Sequence, residues 1–248
     1  RAQGGRLAVS GWLGMGLCAV FLYGGSLCQQ IGLAHTSVTH AGFLTGLYVP
    51  LVPIIMLVFL RRAPHWSVWP AALGCLVGTY LLSGGSFGTF NTGDTWVMVG
   101  SVFWALQVIT IGYVVQSTQT PVFVAAMQFL GCAFLGMVAA VTMETVTFAN
   151  IIAAGPEIMY AGILSIGVAF TLQAIAQRHT PQADAAIIMS GEVLFAAIAG
   201  ALIQGDRLTS AGYWGCAVMF ASILAIELLP VFHQKMARRA KTTRPGDF

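Results

Sequence analysis

Glu192 is the residue whose position most demands a chemical explanation. It sits midway along an otherwise apolar stretch, Gln182 to Gln204, in which Asp184 near one end is the only other charge. An ionisable group at the centre of a bilayer costs about 2.5 to 3.5 kcal/mol on insertion scales, so its retention calls for a role. Two roles fit a lone carboxyl at that depth. It can line a wet cavity as a proton carrier or substrate anchor, or it can stay protonated and hydrogen-bond a neighbouring helix as glue. No Lys or Arg shares its depth; His40 belongs toward the outer face and Asp184 toward the inner.

Neutral polar groups recur at similar depths. Gln29 and Gln30 lie in the first apolar stretch and Gln173 in the sixth, while Gln107 and Gln128 occupy the fourth and fifth. At helical spacing Trp104 shares a face with Gln107, Thr45 with Tyr48, and Tyr23 with Ser26 and Gln30. An aromatic beside an amide suits a ligand with an apolar side chain and a polar head, such as an amino acid. Residue by residue, hydrogen bonding between packed helices explains the same amides equally well. Glu227, one turn from the inner end of the last stretch, reads as a structural residue that snorkels to water.

Other chemistries lack their residues. The five cysteines fall inside apolar runs without a CxxC pair, and the five histidines are scattered, so no metal is expected. There is no GxxxxGK[ST] phosphate loop, no HExxH helix and no GxSxG elbow, so neither ATP, a cofactor nor a hydrolytic nucleophile is called for. An enzyme inside the membrane would need two reactive groups at one depth, and only Glu192 qualifies.

These residues have to be carried by membrane spans. Of 248 residues, 57% are hydrophobic and 8% charged. That charge is about a third of what a soluble domain needs to cover its surface, and the mean hydropathy is +0.82. Disorder is excluded by the same figures, and a net charge of +3 gives no reason to expect nucleic acid. The expected class is an all-α integral membrane protein. Eight stretches long enough to cross run from about Ala8 to Leu33, His40 to Leu60, Trp66 to Ser83, Thr95 to Gln116, Pro121 to Met143, Glu157 to Gln177, Gln182 to Gln204, and Ala211 to Val231. A short interfacial helix is expected near Phe148 to Ala154, and Pro50 and Pro53 should kink span two. Gly42 with Gly46 and Gly74 with Gly78 have the spacing that lets helices pack closely within the chain.

Charge placement tests the count. If span one starts in the cytoplasm and sides alternate, ten of the eleven basic residues lie inside and only Arg207 outside. That asymmetry supports eight spans and puts the basic tail, 232–248, in the cytoplasm as a topology anchor.

The sequence also matches itself weakly at one constant offset. His35-Thr36 pairs with His179-Thr180, 144 residues on, and the same shift pairs Gln29 with Gln173, Ala41 with Ala185 and Val49 with Val193. Spans one, two and three thereby match spans six, seven and eight. Five helices separate each pair, and an odd separation inverts the copy. The expected organisation is an inverted-repeat bundle: 1–83 holding three helices of the first repeat, 84–94 a connecting loop, and 95–231 a five-helix second repeat. Spans four and five lack partners, so two further helices are expected before Arg1, where the chain starts without Met, and ten in the intact protein.

Ser190-Gly191-Glu192-Val193-Leu194-Phe195, running on to Gly205-Asp206-Arg207-Leu208-Thr209, resembles the penultimate helix and turn of the ten-helix EamA-type branch of the drug/metabolite transporter superfamily. Pro50 to Arg62 followed by Trp69 to Leu82 is similar to the matching pair in the first repeat. Val193 stands where the family usually has Pro, and Asp206 where its turn has Glu. The resemblance implies a multi-pass exporter or permease of small organic metabolites with both termini cytoplasmic and a central cavity. The expected location is a bacterial inner (plasma) membrane. The site residues expected from the whole pattern are Glu192, Gln173, Gln29, Gln30, Tyr23, Thr45, Tyr48, Trp104 and Gln107, with alternating access and protons as the possible coupling species. The competing readings are a non-transporting membrane scaffold or partner subunit, or an intramembrane enzyme.

Overall fold

In lipid a helix satisfies every backbone N–H and C=O within one segment, so each apolar stretch is expected to be helical. A computed structural model describes residues 9–84, 90–143, 147–199, 202 and 209–242, with side chains described up to 229. Regular structure among them is helical: α1 (Val9–Leu33), α2 (Val38–Thr45), α3 (Tyr48–Val58), α4 (Val68–Leu82), α5 (Thr92–Thr118), α6 (Pro121–Met143), α7 (Phe148–Ala153) and α8 (Gly155–Met159). A π-helical segment (Tyr160–Phe170) follows, then α9 (Thr171–Gln177), α10 (Gln182–Met189), α11 (Gly191–Ala199) and α12 (Ser210–Thr242). The turn at 205–208, the acid Glu144 and the last six residues, 243–248, lie outside the described residues.

Seven apolar spans among the described residues are long enough to cross a membrane; α2 with α3, α8 through α9, and α10 with α11 each make one of them. Where an eighth full crossing was expected over Trp66 to Ser83, the helix is shorter. α4 has 15 residues, about 22 Å at 1.5 Å per residue against a hydrocarbon core of about 30 Å. Its start is delayed by a turn in which His65 Nδ1 and Ser67 Oγ lie 2.7 Å apart. The short helix expected near Phe148 to Ala154 is present as α7, whose first turn is capped by Thr147 accepting from the Asn150 N–H.

Two spans are less regular than their hydropathy suggests. Span two is interrupted where its prolines predict a disturbance: α2 ends at Thr45 and α3 starts at Tyr48, while Gly46 and Leu47 between them keep right-handed helical torsions. A proline acts on the carbonyl four residues back, and Gly46 lies four before Pro50. Span six contains an 11-residue π-helical segment, a rare geometry usually confined to a single widened turn. Glycines five apart accompany it: a Cβ on Gly167 would stand 3.1 Å from the Gly162 carbonyl oxygen.

The chain forms two compact units, each discontinuous in sequence. The first is Arg1–Thr36 with Asn91–Ala185; the second is Ser37–Phe90 with Ala186–Phe248.

In the first unit, α5 is the most buried span. α1 runs antiparallel to it: Gly25 lies under the Trp104 ring, Gly100 against Cys28, and Gly32 and Gly93 meet backbone to backbone. A Cβ on Gly93 would fall 2.7 Å from the Gly32 carbonyl oxygen, so only glycine allows that approach. α1 runs parallel to α6, with Trp12 edge-on to Phe123 and Ala19 against Gly131. α9 runs parallel to α5, since Phe170, Gln173 and Gln177 meet Trp104, Gln107 and the Val108 carbonyl in turn. α1 and α9 therefore point in opposite directions. Met15, Cys18, Ile111, Val115, Val124 and Ala174 close the core between these helices.

The loops of this unit meet in the pairs that alternation requires. At one end the Thr36 hydroxyl donates to Asp94 Oδ1 at 2.5 Å, and Asp94 with Asn91 forms a capping box on α5. At the other end Arg178 Nε donates to Gln119 Oε1 at 2.7 Å, and Gln116 Nε2 donates to the carbonyls of Gln177 and Thr180.

In the second unit, α4 and α12 run antiparallel, Gly74 against Ser222 and Gly78 against Met219 and Gly215. A Cβ on Gly78 would lie 2.7 Å from the Gly215 carbonyl oxygen. Of the two glycine pairs with packing spacing, Gly74 and Gly78 are thus used at a helix contact, while a Cβ on Gly42 would meet nothing within 4 Å.

Candidate functional site

The helix boundaries repeat at the offset that the sequence showed. α1 ends at Leu33 and α9 at Gln177; α2 spans Val38–Thr45 and α10 spans Gln182–Met189. Each boundary is displaced by the same 144 residues. The interruptions of spans two and seven fall at matching places, Gly46-Leu47 and Ser190, so Tyr48 and Glu192 occupy equivalent positions just beyond them.

The two breaks have different local causes. In span two, Pro50 deprives Gly46 of a helical donor. Span seven has no proline at the corresponding place. There the Ser190 N–H is shared between the carbonyls of Ala186 and Ile187, and Val193 N–H returns to the Ser190 carbonyl. The Ser190 hydroxyl donates to the Ile187 carbonyl at 2.6 Å and lies 3.3 Å from Cys75 Sγ, tying the break to α4.

Around these breaks the second unit holds polar groups without obvious structural duty. The Tyr48 side chain is 4% exposed, yet its hydroxyl has no hydrogen-bond partner among the described residues, and neither has the buried Thr45 Oγ1. Unpaired buried hydroxyls of this kind cost about 1 to 3 kcal/mol each. Glu192 is exposed at the start of α11 and close enough to Tyr48 for an electrostatic interaction. The structure thus gathers three of the expected site residues in one unit, a carboxyl and two hydroxyls able to accept a polar ligand or a proton.

The other six fall in the first unit, and they divide. Trp104 Nε1 donates to Gln29 Oε1 at 3.0 Å, and the indole stacks on Phe170 at 5.9 Å and 20°. Tyr23 is half-buried on α1 facing α6 near Gly136, and Gln30 is exposed. Gln107 is fully buried in an amide chain: Gln107 Nε2 donates to Gln128 Oε1 at 3.1 Å, and Gln173 Nε2 donates to Gln107 Oε1 at 3.2 Å. Gln173 also reaches Gln177, whose Nε2 donates to the Val108 carbonyl at 3.1 Å. This chain binds α5, α6 and α9 together. Gln177 and Phe170 escaped the sequence reading, although Gln173 and Gln177 are four apart and therefore on one helical face. Among the described residues no group of His, Cys, Asp and Glu is placed to hold a metal.

Comparison with known proteins adds identity to this geometry. Residues 91–228 match the model of the EamA-like transporter family. The chain is 28% identical over 200 residues to an uncharacterized transporter of Archaeoglobus fulgidus, a match covering 81% of this chain and 64% of that relative's length. It is also similar in fold to a solved crystal structure with a TM-score of 0.72 at 18% identity, over 88% of this chain and 77% of the other. With more than half of its length matched to the family, this multi-pass membrane chain belongs to the EamA-like transporters.

Proposed function

We propose that the protein is a secondary carrier of small organic metabolites such as amino acids, working by alternating access between inverted repeats, with ten helices in the complete carrier. The carrying observation is the pair of helix breaks at equivalent places in spans two and seven, with Tyr48 and Glu192 just beyond them. Interrupted spans in matching positions of two repeats are the usual setting for substrate and ion sites in such carriers. The opposed directions of α1 and α9, and of α4 and α12, support the inverted relation.

In this reading Glu192 carries the coupling proton, and the hydroxyls of Tyr48 and Thr45 orient the substrate or accept the proton's hydrogen bond. Within the first unit, Tyr23, Gln30 and the Gln29–Trp104 pair are the groups suited to a ligand with an apolar side chain and a polar head. Gln107 and Gln173 hold the bundle. The basic loop at Arg61-Arg62, Arg178 and the tail lie in the cytoplasm of a bacterial inner membrane.

The test is uptake of radiolabelled amino acids into proteoliposomes, with and without an inward proton gradient. Glu192→Gln is expected to abolish gradient-driven accumulation while leaving substrate counterflow intact. Undiminished accumulation by the variant would remove Glu192 from the mechanism, and counterflow absent for every amino acid and related metabolite tried would remove the carrier reading.

A further inference from the structure

Gln29 and Gln173 stand at the same place in the two repeats, yet their amides are used in opposite ways. Gln173 spends its nitrogen on the bundle, donating to Gln107 Oε1 at 3.2 Å and to Gln177 Oε1 at 3.3 Å. A backbone group dictates the direction of that chain. The Val108 carbonyl can only accept, so Gln177 must turn its nitrogen to it and leave its oxygen for Gln173. Gln29 meets the reverse condition. The indole N–H of Trp104 can only donate, so Gln29 must turn its oxygen to α5, in a bond of 3.0 Å. Its nitrogen is thereby left over. Among the described residues Gln29 Nε2 has no hydrogen-bond partner, and the residue is half-buried rather than enclosed.

The indole itself is firmly placed. A Cβ on Gly25 would fall 3.0 Å from its ring, and Phe170 stacks on it. Those contacts fix the ring and, through it, the direction of the amide. Gln29 is four residues from the Leu33 end of α1, and Trp104 twelve from the Thr92 start of α5. At 1.5 Å per residue the pair lies about 6 to 18 Å below the end at which Thr36 meets Asp94. An amide nitrogen at that depth costs free energy unless an acceptor reaches it. No Lys, Arg, Asp or Glu occurs in α1, in α6 or in α5 beyond Asp94, so these helices supply no carboxylate for the donor and no cation to compete with it.

We propose that Gln29 binds an oxygen acceptor of the transported solute, with Trp104 as the positioning residue that keeps the amide nitrogen available for it. The proposal rests on the carrier reading above and names the end of the solute that the first unit holds, which in an amino acid is the carboxylate. Packing does not account for the arrangement, because Gln173 shows what a packing amide does at the equivalent place: it spends its N–H bonds on neighbouring side chains. An ammonium group does not suit it either, since a donor would meet only a donor at the free side of this amide.

The test is thermal unfolding of the purified full chain in detergent, titrated with leucine, with 4-methylpentanoate, which lacks the ammonium group, and with 3-methylbutylamine, which lacks the carboxylate. Phenylalanine, 3-phenylpropanoate and phenethylamine repeat the comparison. The unaltered protein is expected to be stabilised by the amino acids and the carboxylates and not by the amines. Gln29→Glu keeps an oxygen for the indole but puts a second anionic oxygen where the N–H donors were, and should weaken carboxylate affinity by about tenfold or more. Trp104→Phe keeps a ring against Gly25 and Phe170 but releases the amide. It should weaken carboxylate affinity by about threefold alone and have no further effect beside Gln29→Leu. Tighter binding of 4-methylpentanamide than of 4-methylpentanoate would make the acceptor a neutral carbonyl instead of a carboxylate. Stabilisation by amines as strong as by carboxylates, or by none of these solutes, would overturn the proposal. So would carboxylate affinity unchanged in Gln29→Glu, or a Trp104→Phe loss as large beside Gln29→Leu as alone. Counterflow in proteoliposomes separates this from the carrier reading: exchange of amines with refusal of carboxylates would leave a carrier without this site, whereas Gln29-dependent carboxylate binding without any exchange would leave the site and remove the carrier.

Discussion

At the scale of single residues, the amides show how polar groups serve packing inside a bilayer. Gln107 is both donor and acceptor in the chain from Gln128 to Gln173, so replacing it strands two partners where no water can replace the bond. Gln107→Leu is expected to destabilise the protein by about 1 to 2 kcal/mol. The double variant Gln107→Leu with Gln128→Leu should be less destabilised than the two single effects predict, because both ends of one bond are then removed together. Thermal unfolding in detergent micelles measures the difference, and strict additivity would mean that the bond contributes nothing. Glycine 78 offers a second test. Gly78→Ala pushes a methyl onto the Gly215 backbone and should cost about 1 to 3 kcal/mol. Gly42→Ala, with open space around it, should be neutral or slightly stabilising. Both glycines belong to pairs with the same spacing, so spacing alone could not distinguish them. What separates them is the helix opposite, which the sequence does not name.

At the scale of elements, the locations of the spans were legible because lipid leaves the backbone few choices. The limits of α1 and α6 lie within a residue of where hydropathy placed them. The breaks were less legible. Proline announced a disturbance in span two, but its effect falls four residues earlier, at Gly46, and span seven breaks at Ser190 with no proline beside it. Only the repeat connects the two, through an alignment too sparse to locate a turn by itself. Pro50→Ala restores the missing donor and should close the gap between α2 and α3. The expected outcome is a raised unfolding temperature together with slower substrate counterflow, if the interruption serves movement. Faster counterflow from a stabilised variant would detach the break from transport. The π-helical segment was not legible at all, since its apolar sequence has the same hydropathy as any other crossing.

At the scale of the molecule, the charge count and the loop contacts agree on which ends share a side. Thr36 meets Asp94 and Arg178 meets Gln119, as alternation demands. Cysteines introduced at Ala63 and at Phe90 should react with a membrane-impermeant maleimide from opposite faces, Phe90→Cys in intact cells and Ala63→Cys only after lysis. Labelling of both in intact cells would reverse or break the proposed topology. The candidate site was legible only as a list of polar residues in apolar surroundings. Their division into an unpaired cluster beside the breaks and a bonded amide chain depends on which helices touch, and that information is long-range.

The interleaving of the two units has a consequence for biogenesis. Among the described residues α4 has its most extensive packing partner in α12, roughly 130 residues further along the chain. At about 5 to 20 residues per second a ribosome needs something like 6 to 26 seconds to reach it. Throughout that interval the glycine ridge of a short helix must wait in the bilayer without the surface it fits. The insertion machinery, or the lipid itself, has to shelter it until the last crossing is made.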